Sequence, residues 1–138
     1  MTDRFVDTSG WANWAIRTEP YFELAGLFVA ETWDAGGALV TTNWVLAELT
    51  ALLNSPLRVD KPTQVRILDG IRDDPSVRVV DVDAALEADA WHLWRTRLDK
   101  DWSLVDCASF ELMTGRGLTE ALTADHHFEQ AGFVRLLR

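Results

Sequence analysis

Arg4-Phe5-Val6-Asp7-Thr8-Ser9-Gly10 opens with an apolar, β-branched run, ends it in a carboxylate, and passes at once into hydroxyl and glycine residues. A three-residue strand, Arg4-Phe5-Val6, followed by turn chemistry and a Trp/Ala-rich stretch reads as the first half of a β-α unit. Ser9 is expected as the N-cap of a helix through Trp11, Trp14 and Ala15. The same alternation continues outward. A helix after Pro20 runs through Phe22, Leu24, Leu27 and Phe28 to the stop at Gly36-Gly37. Leu39-Val40-Thr41 reads as strand, and an amphipathic helix from the N-cap Asn43 to Asn54 ends at Ser55-Pro56. A further helix starts near Lys61-Pro62. Val77-Arg78-Val79-Val80 is strand, and Asp83 caps a helix reaching about Arg97. Ser103 opens a helix stopped by Gly115 and Gly117. Glu120-Ala121-Leu122-Thr123 and Val134-Arg135-Leu136-Leu137 complete a set of four or five strands. Strands alternating with helices predict an α/β fold, a three-layer α/β/α sandwich around a mostly parallel sheet.

The chain has 138 residues, 48% hydrophobic and 25% charged, with no repeat or low-complexity tract. Residues 1–138 are therefore read as one domain, and wholesale disorder is excluded. No apolar run approaches the roughly 20 residues of a membrane span. The start, Met1-Thr2-Asp3-Arg4-Phe5, lacks the basic-then-apolar pattern of a secretory leader, and the single Cys107 cannot form an internal disulfide. A reducing cytoplasm is the expected location. Thirteen basic residues stand against 22 acidic, a formal charge of −9. A protein that coats nucleic acid with a broad basic surface does not have this balance. An acid-rich metal site, or a basic partner, does fit it.

In open α/β sheets, ligands bind beyond the carboxyl ends of the strands. Acids stand there: Asp7 after the first strand, Asp81 and Asp83 after the third, Asp125 after the fourth. Glu48 and Asp106 lie on helices near the same edge. At about 100° per residue, Val45, Leu49, Leu52 and Leu53 share one face and Glu48 falls at its margin. A carboxylate in that position is paired, hydrated or metal-bound. Each acid also has a plain structural reading. Glu48 can be a solvated rim acid, Asp106 the acid of a Ser-x-x-Asp capping box begun at Ser103, Asp7 a turn acid, and Asp125 the N-cap of a short 125–130 helix. Together, dispersed acids converging on one rim would repel one another, and a hard divalent cation relieves that repulsion.

Other chemistries lack their parts. Neither a Gly-x-Gly-x-x-Gly fingerprint, a Walker loop nor a Gly-x-Ser-x-Gly elbow occurs. His126 and His127 are adjacent and cannot share a face of a regular element as zinc ligands should, so they read as surface residues or as supports behind the acids. His92 reads as structural or solvated, and Cys107 as a small core residue.

The acidic segments resemble a known family. Phe5-Val6-Asp7-Thr8-Ser9, Trp44-Val45-Leu46-Ala47-Glu48, Asp101-Trp102-Ser103-Leu104-Val105-Asp106-Cys107-Ala108-Ser109-Phe110 and Leu122-Thr123-Ala124-Asp125-His126-His127-Phe128, with Gly132-Phe133 following, are similar to the PIN-domain ribonucleases, specifically the VapC-type toxins of toxin–antitoxin pairs. The resemblance implies a metal-binding quartet of Asp7, Glu48, Asp106 and Asp125. Thr8 and Ser9 match hydroxyl positions that hold water near the first acid. Asp101 and Ser103 match polar supports of the third. The activity it implies is endonucleolytic hydrolysis of RNA phosphodiesters with one or two Mg²⁺ or Mn²⁺ ions.

The same resemblance implies a small antitoxin partner lying in a hydrophobic groove, for which Trp11, Trp14, Phe22, Leu24 and Phe28 are candidates, and a homodimer. Arg17, Arg95, Arg97, Lys100 and Arg116 are candidates for following an RNA backbone, with Trp102 as a base-stacking platform. Two alternatives remain at this level. One is a structure-specific DNA nuclease of the same fold. The other is a non-catalytic or receiver-like partner-binding module, for which Asp81 would be the acceptor but the late lysine is missing.

Overall fold

The structure, a computed structural model, describes residues 2–138; Met1, where the leader reading begins, lies outside them. Among the described residues the strands are β1 (Arg4–Val6), β2 (Leu39–Thr42), β3 (Val77–Val80), β4 (Glu120–Leu122) and β5 (Val134–Arg135). The helices are α1 (Thr8–Ala15), α2 (Phe22–Asp34), α3 (Asn43–Asn54), α4 (Lys61–Asp73), α5 (Ala84–Thr96), α6 (Leu104–Arg116) and α7 (His127–Gln130).

All five strands are parallel, in the order β3-β2-β1-β4-β5. From β1 the chain steps outward to β2 and β3, then crosses back to place β4 on the other side of β1. Right-handed crossovers therefore put α1 to α4 on one face and α5 to α7 on the other. The observed neighbours agree: α1 packs on α2 and α3, α3 on α4, α5 on α6, and α6 on α7. The direction of winding reverses between β1 and β4, and that reversal opens a crevice at their carboxyl ends.

β1 is buried throughout, as expected of a central parallel strand covered on both faces. One face is filled by Trp11, Val45, Leu49 and Leu53, all fully buried. The other holds an aromatic cluster in which Phe110 meets Phe128 edge-on at 4.9 Å and Trp102 at 5.0 Å. Among the described residues no helix is long and apolar enough to cross a membrane.

Several boundaries differ from the sequence reading, each for a physical reason. The N-cap of α1 is Asp7, whose Oδ1 accepts from the Gly10 amide at 2.8 Å; Ser9 is already inside the helix, with its hydroxyl bonded to Asp7 and to the Ala124 amide. Thr42, not Asn43, caps α3 by accepting from Val45, because the Asn43 side chain accepts from the Val82 amide beyond β3. Gly115 lies within α6. Only Gly117, at φ 68°, ends it in the left-handed conformation that glycine adopts without a Cβ clash. β4 stops at Leu122 and β5 at Arg135.

Candidate active site

Asp7, Glu48, Asp106 and Asp125 all line one cavity of about 400 Å³, together with Thr8, Ser9, Val45, Leu52, Val105 and Ser109. It opens at the crevice between β1 and β4. Register does the positioning: Val6 pairs with Leu122, so the residues that follow each strand, Asp7 and Thr123, come out side by side.

Asp7 is held by three donors. Its Oδ1 accepts from the Gly10 amide and the Ser9 hydroxyl, both at 2.8 Å, and its Oδ2 from the Thr123 hydroxyl at 2.7 Å. Those two hydroxyls are themselves oriented by amides at the end of β4: Ala124 donates to Ser9 and Asp125 to Thr123, each at 2.9 Å. Burial opposes ionisation more strongly than these bonds favour it, with Asp125 adding repulsion, and the Asp7 carboxyl is pushed up to about 7.

Glu48 stands exposed at the rim and accepts from the Thr8 hydroxyl. Partial desolvation raises its pKa, the Thr8 bond opposes this, and Asp106 and Asp125 add smaller upward pushes. The effect is modest for a group so open to water. Asp106 sits in the first turn of α6, where Ser103 and Asp106 form the reciprocal capping box. Its Oδ2 accepts from the Ser103 amide at 3.1 Å and faces His127 Nδ1, also at 3.1 Å. Burial raises the Asp106 pKa; of the opposing influences the Ser103 amide is the largest, and His127 lowers it too. Asp125 Oδ1 accepts from the His127 amide at 2.9 Å.

Glu48, Asp106 and Asp125 thus meet their structural neighbours with one oxygen each, and Asp7 with both. Among the described residues, Glu48 Oε2, Asp106 Oδ1 and Asp125 Oδ2 make no hydrogen bond, and Asp7 Oδ2 makes one of the two it can accept. Asp106 is both the acid of the capping box, through Oδ2, and part of the lining of the cavity it shares with the other three acids. A donor set made only of carboxylate oxygens suits a hard divalent cation.

The supporting residues fall out unevenly. Thr8 and Ser9 reach Glu48 and Asp7. Ser103 meets Asp106 through both its amide and its hydroxyl. Asp101 is exposed and does not line the cavity. Replacing Ser103 with Ala should cost about 1 kcal/mol, seen as a lower denaturation midpoint, because the Asp106 amide loses its acceptor. Unchanged stability would count against the capping role.

Trp102 cannot serve as a free stacking platform. It is buried, donates from Nε1 to Gln130 Oε1 at 3.0 Å, and has the Arg97 guanidinium over its ring at 4.8 Å. Arg97 and Lys100 also pair with Asp99, whereas Arg17, Arg95 and Arg116 are exposed. Trp11 belongs to the core, donating to the Thr41 hydroxyl at 3.1 Å, and Phe28 lies under Arg4. Trp14 and Phe22 do line a surface cavity, of about 440 Å³, with Ile67 and Thr63 of α4. Cys107 is fully buried, and burial pushes its thiol up to about 11, the state of a core residue. Asp83 caps α5, and Asp81 lines a different cavity from the four acids.

The contact the sequence understated is His127. His126 lies in a turn ahead of α7 rather than on a regular element, so alternation of faces does not apply, and the two rings stand 4.6 Å apart.

A PIN-domain family model matches residues 4–134. The 23S rRNA-specific endonuclease VapC20 of Mycobacterium tuberculosis is 36% identical over 134 residues, 96% of each chain. The crystal structure of that protein, described as a sarcin-ricin loop cleaving toxin, superposes with a TM-score of 0.83 at 32% identity, covering 97% of this chain and 98% of that one. FitAcB from Neisseria gonorrhoeae shares the fold, with a TM-score of 0.63 at 16% identity over 97% and 96% of the chains. With a five-stranded parallel sheet wound in the same way and a family match along nearly its whole length, the chain belongs to the PIN-domain family, among its VapC-type members.

Proposed function

We propose that this protein is a divalent-cation-dependent endoribonuclease, the toxin of a toxin–antitoxin pair, in which Asp7, Glu48, Asp106 and Asp125 hold Mg²⁺ or Mn²⁺. One observation carries the reading: four carboxylates from four separate parts of the chain border one cavity, each with acceptor capacity left over by the protein's own hydrogen bonds. When bound, the cation supplies Lewis-acid activation of water and neutralises charge on the phosphoryl oxygens.

The chain's own residues set the conditions for that chemistry. Ser9, Thr123 and the Gly10 amide fix the direction of Asp7, and Thr8 fixes that of Glu48. Ser103 and His127 hold Asp106 Oδ2, which leaves Oδ1 without a hydrogen bond among the described residues. Val45, Leu52 and Val105 form an apolar wall that strengthens attraction between the carboxylates and a cation. Exposed Arg17, Arg95 and Arg116 are the proposed contacts for the RNA backbone. The likeness to VapC20 supports a ribosomal RNA as substrate. The cavity of Trp14, Phe22 and Ile67 is the proposed seat for an apolar antitoxin tail, and a homodimer the proposed assembly.

The test is cleavage of total RNA by purified protein. Cuts should appear with Mg²⁺ or Mn²⁺, stop on chelation with EDTA, and fall by about 10- to 100-fold in Glu48→Gln, which keeps the rim geometry but removes the charge. Cleavage that persists in EDTA, or at the parental rate in Glu48→Gln, would reject the assignment.

A further inference from the structure

We propose that Asp125, His126 and His127 form a separate binding position for a transition cation, Zn²⁺ before others, and that a cation held there draws Asp125 away from the Mg²⁺ or Mn²⁺ site and so restrains cleavage. The binding position stands on its own geometry. The restraint rests on the reading of Asp125 as a member of the acidic site.

Three consecutive side chains converge because residues 123–126 form no regular element. Asp125 Oδ1 accepts from the His127 amide at 2.9 Å, which folds the turn so that both imidazoles border the same carboxylate. His127 Nδ1 lies 3.4 Å and His126 Nδ1 3.7 Å from that oxygen, and the two rings stand 4.6 Å apart. One ligand atom from each of the three residues lies within 4.8 Å of the other two. Donors bound at about 2.0–2.2 Å around a tetrahedral ion stand about 3.3–3.6 Å from one another, so a small turn of the exposed His126 side chain closes the set. The Asp125 oxygen has lone-pair capacity beyond the amide it accepts from. Of the three histidines in the chain, two stand here, and the third, His92, lies on α5.

Two imidazoles and a carboxylate, with a fourth position open to water, are a donor set for zinc, whereas Mg²⁺ keeps to oxygen ligands. With its proton on Nδ1, His127 donates to Asp106 Oδ2 at 3.1 Å. A cation bound at Nδ1 moves that ring proton to Nε2, and Asp106 loses its donor. Occupancy therefore alters two of the four acids together: Asp125 is engaged, and Asp106 is left with the Ser103 amide alone.

Zn²⁺ and Mg²⁺ are titrated separately into the metal-free full-length protein by calorimetry, and the zinc-loaded protein is examined by X-ray absorption at the zinc edge. The parent should bind one Zn²⁺ through two imidazoles. His126→Asn should keep one imidazole and bind Zn²⁺ at least about tenfold more weakly, since losing a ligand costs no less than losing its outer support. The His126 side chain is 65% exposed, so in this variant the metal-free melt should be unchanged and Mg²⁺ affinity and Mg²⁺-driven cleavage should stay within about twofold. Added Zn²⁺ should slow Mg²⁺-driven cleavage by the parent, and His126→Asn should need about tenfold more Zn²⁺ for the same slowing. Equal Zn²⁺ affinity in the two proteins, fewer than two imidazoles on zinc in the parent, or equal sensitivity of their cleavage to Zn²⁺ overturns the proposal. Failure of the nuclease reading would appear elsewhere, as cleavage persisting in EDTA, and would leave the calorimetry and the absorption spectrum as expected.

Discussion

Asp7→Asn should make the metal-free protein more stable at pH 8 and at the same time remove its RNA cleavage. The two effects have one cause. The Asp7 carboxyl is buried and pushed from 3.8 to about 7, so ionising it in the folded state costs free energy that ionising it in the unfolded chain does not. Between those pKa values the folded state binds more protons than the unfolded state, and stability falls as pH rises. The cost is absent below about pH 4 and complete above about pH 7. At about 1.4 kcal/mol per unit, the upper limit is about 4 kcal/mol. Asn avoids the charge. Its amide oxygen can keep the Gly10 and Ser9 bonds, and the Thr123 hydroxyl, which already approaches Ser9 at 3.3 Å, can turn to accept from its NH₂. A gain of about 2–4 kcal/mol is expected in urea unfolding at pH 8, shrinking to nothing near pH 4. Mg²⁺ or Mn²⁺ should raise the Tm of the parent by mass action and leave the variant nearly unmoved. Cleavage should drop by about 100-fold or more. A variant less stable than the parent at pH 8, or one that still cuts RNA at the parental rate, contradicts this account.

Gly10→Ala should unfold the protein, or bring it close to unfolding, although alanine is the better helix former. A Cβ at residue 10 would lie 1.9 Å from the Leu122 carbonyl oxygen and 2.9 Å from Val6 Cγ1, inside any possible van der Waals contact. The first of these is backbone of β4 and cannot swing aside. To accept the methyl group, α1 must lift off the β1-β4 pair, which would break the Asp7 cap and the Ser9 and Thr123 bonds together. A loss above about 4 kcal/mol follows, against a total stability of about 5–15 kcal/mol for a domain. Circular dichroism melts of the two proteins decide it. A Tm within a few degrees of the parent would show that α1 can move without penalty. The site and this contact are linked: the glycine that lets α1 approach β4 also brings its amide to Asp7.

Much of this was legible in the residues. Short β-branched runs ending in acids located the strands, and the order of Asp7, Glu48, Asp106 and Asp125 pointed to one rim. Local competition between capping residues was less legible. Asp7 and Ser9 are both good N-caps, and the choice between them is made by Ala124, which engages the Ser9 hydroxyl from the far end of the chain. Trp102 looks like any exposed aromatic in a polar segment until α7 supplies Gln130 and α6 supplies Phe110 beside it. His127 was undervalued because the alternation of faces holds only on regular elements, and residues 123–126 form an irregular turn. Trp91 and Trp94, an edge-on pair on α5 at 5.5 Å, stay exposed, whereas Trp11 and Trp102 enter the core.

Period, capping chemistry and the placing of acids after apolar runs are properties of neighbouring residues, so they determined the element order and the acids at the strand ends before any folding was considered, and the family resemblance singled out Asp7, Glu48, Asp106 and Asp125 among the acids. Which oxygen of each acid is engaged, how far Asp7 resists ionisation, and that His127 leans on Asp106 were decided only when β1 and β4 paired. The bond from Thr123 to Asp7 spans 116 residues, and no local pattern encodes a contact that exists only after the sheet has closed around it.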